Sequence, residues 1–199
     1  MPVPVWKPET QPIIAAFAHR TGSVEAGALA SWAVWTVDSL HYLDDLDQSR
    51  SNSAAGRRYN PSTVDVAHAR WATSTAKTAI DLCAAALGRS YCELEPSREL
   101  DVGSFFRRRK LQEALPTGAK DWLHGTQADT RFDLVKGARD ALVHARIRRH
   151  FTLNVGGPPK RMDLEVGGKR HDVRTVIEAA RDLATERVEA FVEVLRVLV

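Results

Sequence analysis

Arg139, Asp140 and His144 stand in the stretch GARDALVHARIRRH, and these three residue types together can do acid–base chemistry on a phosphate. A histidine titrates near neutral pH and can take or give a proton in a reaction. A guanidinium is planar, permanently charged and well matched to phosphate oxygens. A carboxylate lying over an imidazole fixes its tautomer and raises its affinity for a proton. On a helix Asp140 and His144 are i,i+4 neighbours and can touch. Arg139 and His144 lie about 140° apart around the axis, so the arginine reaches the same groove only by wrapping round, and a second subunit would help to close that groove. The chain holds 21 arginines and 7 histidines, so an Arg-x4-His pair arises by chance and is a weak motif on spacing alone. Taken alone, the stretch reads more readily as a solvated helix face.

Cations surround it. Arg146, Arg148, Arg149 and His150 follow directly, Lys160, Arg161, Lys169, Arg170 and His171 lie further on, and Arg107, Arg108, Arg109 and Lys110 form a third group. Folded together over the motif helix they would make a phosphate-binding rim, although a charge run is more often simply a solvated face. His41, Asp44 and Asp45 have the spacing of metal ligands on one helix, but no second helix offers a matching set, so neither a metal site nor a cofactor is read. His19, His68, His124 and His171 are scattered. Trp32, Trp35, Trp71 and Trp122 read as core or interface, Cys83 as inert packing on an apolar helix, and the glycine pairs lack the Walker spacing.

These residues need a scaffold. The 199 residues are 44% hydrophobic and 27% charged with a net charge of +3, which allows a sizeable core and argues against disorder. Two cysteines nine residues apart, Cys83 and Cys92, indicate neither a zinc ribbon nor a disulfide framework. There is no signal-peptide pattern and no long apolar run, so the expectation is a cytoplasmic protein with no membrane span. Residues 1–22 read as a proline-rich arm with a short helix at Pro12–His19. From Ser23, a plausible cap, a long helix places Leu29, Trp32, Ala33, Val37, Leu40 and Leu43 inward. A turn-prone segment leads to Asn60-Pro61, which opens a helix running to Leu87 with Val64, Ala67, Trp71, Thr75, Ala79 and Leu82 inward and Gly88 as its stop.

Residues 101–115 read as a further helix ended by Pro116, and 118–125 as one or two turns. From Asp129 a helical pattern carries Phe132, Val135, Leu142, Val143 and Ile147. Period-two alternation on both sides of GGPP argues for a β-hairpin at about 151–166, and Asp172 caps a last helix with the stripe Val173, Val176, Ile177, Ala180, Ala184, Val188, Phe191, Leu195 and Leu198. The fold class is thus mainly α: a bundle of four to five main helices over residues 23–199, with a small β-hairpin inserted before the C-terminal helix.

The stretch Arg139-Asp140-x3-His144, with Leu142 and Val143 before the histidine, resembles the signature of the HEPN superfamily, and the bundle, excursion and closing helix agree with it. That resemblance implies a metal-independent endoribonuclease working as a homodimer with a composite active site. Its setting would be toxin or phage-defence work, with an antitoxin or defence protein as a further partner. His144 would serve as general acid and base, Arg139 would bind the scissile phosphate, and Asp140 would orient His144 or hold Arg139. The basic runs at Arg146–His150 and Arg107–Lys110 would bind RNA. Toxins of this superfamily that pair with a nucleotidyltransferase carry tyrosine two residues after the histidine. Arg146 stands there, which argues against that pairing. The other reading is a non-catalytic module of the same fold that dimerises or binds RNA, a nucleotide or a protein.

Overall fold

A computed structural model describes residues 7–51, 61–92, 100–143 and 163–199, with the backbone alone for 47–51 and 61–63. In chain order the elements are α1 (Thr10–Thr21), α2 (Val24–Ser51), α3 (Pro61–Tyr91), α4 (Val102–Arg107), α5 (Arg109–Glu113), α6 (Thr117–Ala128), α7 (Thr130–Val143), β1 (Asp163–Val166), β2 (Lys169–Asp172) and α8 (Val173–Leu198). The molecule is a helical bundle with a two-stranded antiparallel hairpin directly before the C-terminal helix, the expected class.

α8 follows its sequence pattern closely. Asp172 caps it by accepting from the backbone N–H groups of Arg174 and Thr175, and Val173, Val176, Ile177, Ala180, Ala184, Val188, Phe191 and Leu195 are buried as expected, joined by Leu183 and Val192. One apolar stripe on an otherwise charged helix leaves only one way to pack it.

The two longest helices depart from expectation. On α2 the buried hydrophobic residues are Ala26, Ala30, Ala33, Val34, Val37 and Leu40, while Trp32 and Trp35 are 55% and 52% exposed. On α3 the core face is Ala69, Ala72, Thr73, Ala76, Ala79, Ile80, Cys83, Ala84 and Leu87. Of the inward set expected there only Ala79 is fully buried, and Ala67 is exposed. Small side chains let helix axes approach closely, so the alanines occupy the contact and the tryptophans are left outside it. Gly88 does not stop α3, which continues to Tyr91; it is glycine because Leu100 and Phe105 close on that position. Ser23 does cap α2, its hydroxyl accepting from Ala26 N–H at 3.1 Å.

α3 and α8 form the centre. α2 packs against both of them, and α7 also packs against both. Two helices lying side by side have one groove on each side, and since α2 and α7 scarcely touch, they fill opposite grooves. α1 belongs to the same core rather than to an appended arm: Phe17 and Ile14 are buried against it.

The single helix expected at 101–115 is two short ones, broken at Arg108 where the backbone turns extended. The described hairpin shares only its first strand with the expected one. β1 pairs with β2 in the register Leu164↔His171 and Glu165↔Arg170. Its turn is Gly167-Gly168, both with positive φ (58° and 79°), the conformation that two-residue hairpins need. The other arm of the expected hairpin, 151–162, lies outside the described residues.

Candidate functional site

α7 is the element that carries the motif. Asp129, just ahead of it, accepts from Arg131 Nε at 3.0 Å and from Arg187 Nη2 at 2.7 Å. Arg131 also donates to Glu186 on α8 at 3.0 Å. The Arg131 guanidinium, with help from Arg187, holds the Asp129 carboxyl well below the ordinary carboxylate range. This network fixes the start of α7 to the middle of α8. Further along, Phe132, Val135, Ala138 and Leu142 are buried, and Gly137 lies under Val166 of β1, where a Cβ would clash.

That packing leaves Arg139 and Asp140 at the border of the buried face, with side chains 39% and 48% exposed. Arg139 Nη1 donates to Asp140 Oδ1 at 3.1 Å. Of the two roles open to Asp140, this geometry is that of holding Arg139. His144, Arg146, Arg148, Arg149 and His150 lie outside the described residues.

The other basic group stands apart from the motif. Arg107, Arg108, Arg109 and Lys110 are exposed, with Arg107 bonded to Asp101 at 3.2 Å and Arg109 to Glu113 at 2.8 Å. α4 closes on Gly88 near the C-terminal end of α3. The motif end of α7 instead lies beside the hairpin that feeds the start of α8. On α3 that end is marked by His68, which meets Asp44 of α2, itself bonded to Arg181 two turns into α8. Arg107–Lys110 and Arg139 thus stand on different elements, α4 and α5 beside the C-terminal part of α3 and the end of α7 beside the hairpin. Lys169 and Arg170 of the hairpin are exposed near the motif end.

A second polar cluster contains His41 and Asp44, considered above as metal ligands, in a different role. Asp44 Oδ1 lies 2.8 Å from His68 Nε2 and its Oδ2 accepts from Arg181 at 3.1 Å. Burial raises the Asp44 carboxyl, and the hydrogen bonds and charges of His68 and Arg181 outweigh it, leaving a net lowering. His41 Nε2 lies 2.9 Å from Thr185 Oγ1, whose own proton goes to the Arg181 carbonyl at 2.9 Å. The imidazole is therefore the donor at Nε2, and its buried Nδ1 has no partner among the described residues. A signal existed: at about 100° per residue, Asp44 falls on the same face as Ala30, Ala33, Val37 and Leu40. An acid in core register implies a cation across the interface.

The chain matches no family model, no curated protein and no solved structure. Function is therefore argued from the groups themselves. Among the described residues no three His, Cys, Asp or Glu side chains are grouped to hold a metal, and no helix is long and apolar enough to cross a membrane. Cys83 is buried and its thiol is pushed well up by burial, which suits packing rather than nucleophilic work. Both oxygens of Asp44 are engaged between three helices, so that cluster ties helices together. The half-exposed Arg139–Asp140 pair is the arrangement best suited to meet a phosphate.

Proposed function

We propose that this protein is a HEPN-like endoribonuclease that cuts RNA without a metal ion. The observation that carries this reading is the Arg139 guanidinium, half-exposed in the last turns of α7 and held by Asp140 at 3.1 Å, five residues ahead of His144 in sequence. In this reading His144 takes the proton of a ribose 2′-hydroxyl. The oxygen attacks the adjacent phosphorus, the bond to the 5′-oxygen breaks, and a protonated histidine of the second copy's motif gives that oxygen a proton. Arg139 binds the phosphate and stabilises the charge gathered on it, and the products are a 2′,3′-cyclic phosphate and a 5′-hydroxyl. Arg146, Arg148, Arg149 and His150 follow the motif and hold the backbone of the RNA. Arg107–Lys110, on α4 and α5, would add a further contact to the RNA. The setting is toxin or phage-defence work in the cytoplasm.

The test is incubation of RNA with the protein in EDTA, beside His144→Ala. Cleavage by the wild type with loss in the variant supports the reading. Intact RNA with the wild type, or equal cutting by both, removes it.

A second reading, a non-catalytic module that works by docking, is favoured by one observation: two tryptophans and a tyrosine of α2 are more than half exposed.

A further inference from the structure

α2 is apolar on two opposite sides. Val24, Trp32, Trp35, Tyr42 and Leu46 are 85%, 55%, 52%, 63% and 45% exposed, and they are five of the seven large hydrophobic residues exposed among the described residues. The other two, Val197 and Val199, end the chain. At about 100° per residue, these five with Ala28 and Ser39 fall within a strip about 80° wide and about 33 Å long. The strip is centred opposite the face that Ala30, Val37 and Leu40 bury. A helix apolar on both sides is a helix meant to be covered on both sides.

We propose that a second copy of this chain covers it, the two α2 helices pairing antiparallel about a two-fold axis at Trp35. The first argument is area. Aromatic side chains carry about 150–250 Å² each, so the strip exposes on the order of 500 Å² of apolar surface. A standard interface buries about 800 Å² per partner, and the flanking, partly exposed Leu29, Thr36 and Leu43 widen the strip toward that size.

The second argument is shape. Trp35 is the midpoint of Val24 and Leu46, so an antiparallel copy sets Leu46 against Val24, Tyr42 against Ala28, and Trp32 beside Ser39. Tyr42 and Trp32 each meet a small residue, Leu46 packs on Val24, and the two Trp35 side chains meet at the axis, a contact that symmetry makes self-complementary. Charge does not oppose it. Glu25 is paired with Arg89 at 3.2 Å. The axis leaves the two Asp38 residues about 9 Å apart and the two Asp45 residues about 30 Å apart along the helices, at or beyond the screening length in physiological salt.

This contact does not rest on the nuclease reading. α7 lies in the groove opposite α2, so an α2 pair carries its two Arg139 side chains on its outer flanks. A motif-sharing cleft is thus a different surface, and the two contacts together would assemble four chains.

The experiment is the solution mass of the full chain across micromolar concentrations, for the wild type, Trp35→Glu, Tyr42→Glu and Arg139→Glu, with circular dichroism as the control for folding. The expected result is a wild-type assembly of at least two chains whose order is halved by Trp35→Glu. A central aromatic is worth about 2 kcal/mol or more at an interface, so association weakens at least about thirtyfold. Tyr42→Glu acts in the same direction, and Arg139→Glu leaves the α2 contact in place. Should Trp35→Glu lose its helical signal, the half-exposed Trp32→Gln replaces it. A single-chain mass for the wild type at every concentration overturns the proposal. So does an assembly that survives the α2 variants, or one that only Arg139→Glu dissolves, as a motif-face contact would.

Discussion

Asp44 of α2 and His68 of α3 meet at 2.8 Å across the helix interface, with side chains only 15% and 14% exposed. The same carboxylate takes Arg181 of α8 at 3.1 Å, so one acid ties three helices together at the end of the bundle where α8 begins.

Asp44→Ala should therefore cost stability well beyond a surface substitution. It removes the acceptor shared by His68 and Arg181, although Arg181 keeps Asp182 at 2.9 Å, a loss of about 1–3 kcal/mol. Chemical denaturation reads it as a lower midpoint with an unchanged slope. A midpoint equal to the wild type's would mean that the cluster is solvated.

Asp129 sets an acid limit. Its carboxyl is 8% exposed and held below the usual range by Arg131 and Arg187. In the unfolded chain it titrates near the ordinary value of about 3.9. The unfolded state thus takes up the proton first, and the stabilisation is full above that value and lost as pH falls below it toward the lowered folded value. Asp129→Asn should be about 2 kcal/mol less stable at neutral pH and lose less on acidification below about pH 4. Parallel acid-unfolding curves for the two proteins would count against the network.

The alanine seam predicts an asymmetry with size. Ala33 on α2 and Ala76 on α3 are fully buried. Ala76→Leu adds volume where helices are close, at a cost of about 1–3 kcal/mol, although leucine is a good helix former. A thermal unfolding scan showing no loss would mean that the helices part easily.

Arg139 and Asp140 should separate charge from geometry in RNA cleavage. Arg139→Ala removes the phosphate donor and should lower the rate by about 10²–10³. Arg139→Lys keeps the charge and loses the planar fork, so it should recover only part of that. Asp140→Ala leaves the guanidinium unheld and should act mainly on the rate rather than on RNA affinity. Equal rates for Arg139→Ala and the wild type would remove Arg139 from the chemistry.

The sequence by itself determined the helical class, the caps at Ser23 and Asp172, and most of the inward face of α8, missing Leu183 and Val192 and adding the half-buried Leu198, because each rests on local pattern or on one apolar stripe. It determined equally that a hairpin precedes α8, but placed its turn at GGPP. Gly167-Gly168 holds the described one, since its two positive φ angles need residues without a Cβ. α2 could not be oriented from pattern because both of its sides are apolar. Tertiary structure chose the alanine side, since only small residues let α2 and α3 approach, and so put Trp32, Trp35 and Tyr42 outside. Distance along the chain also concealed what the fold joined and parted. Asp44, His68 and Arg181 come together from three helices. Arg107–Lys110 and Arg139, similar in charge and plausible as one rim, stand on different elements, α4 and α5 packed beside the C-terminal part of α3 and the end of α7 beside the hairpin.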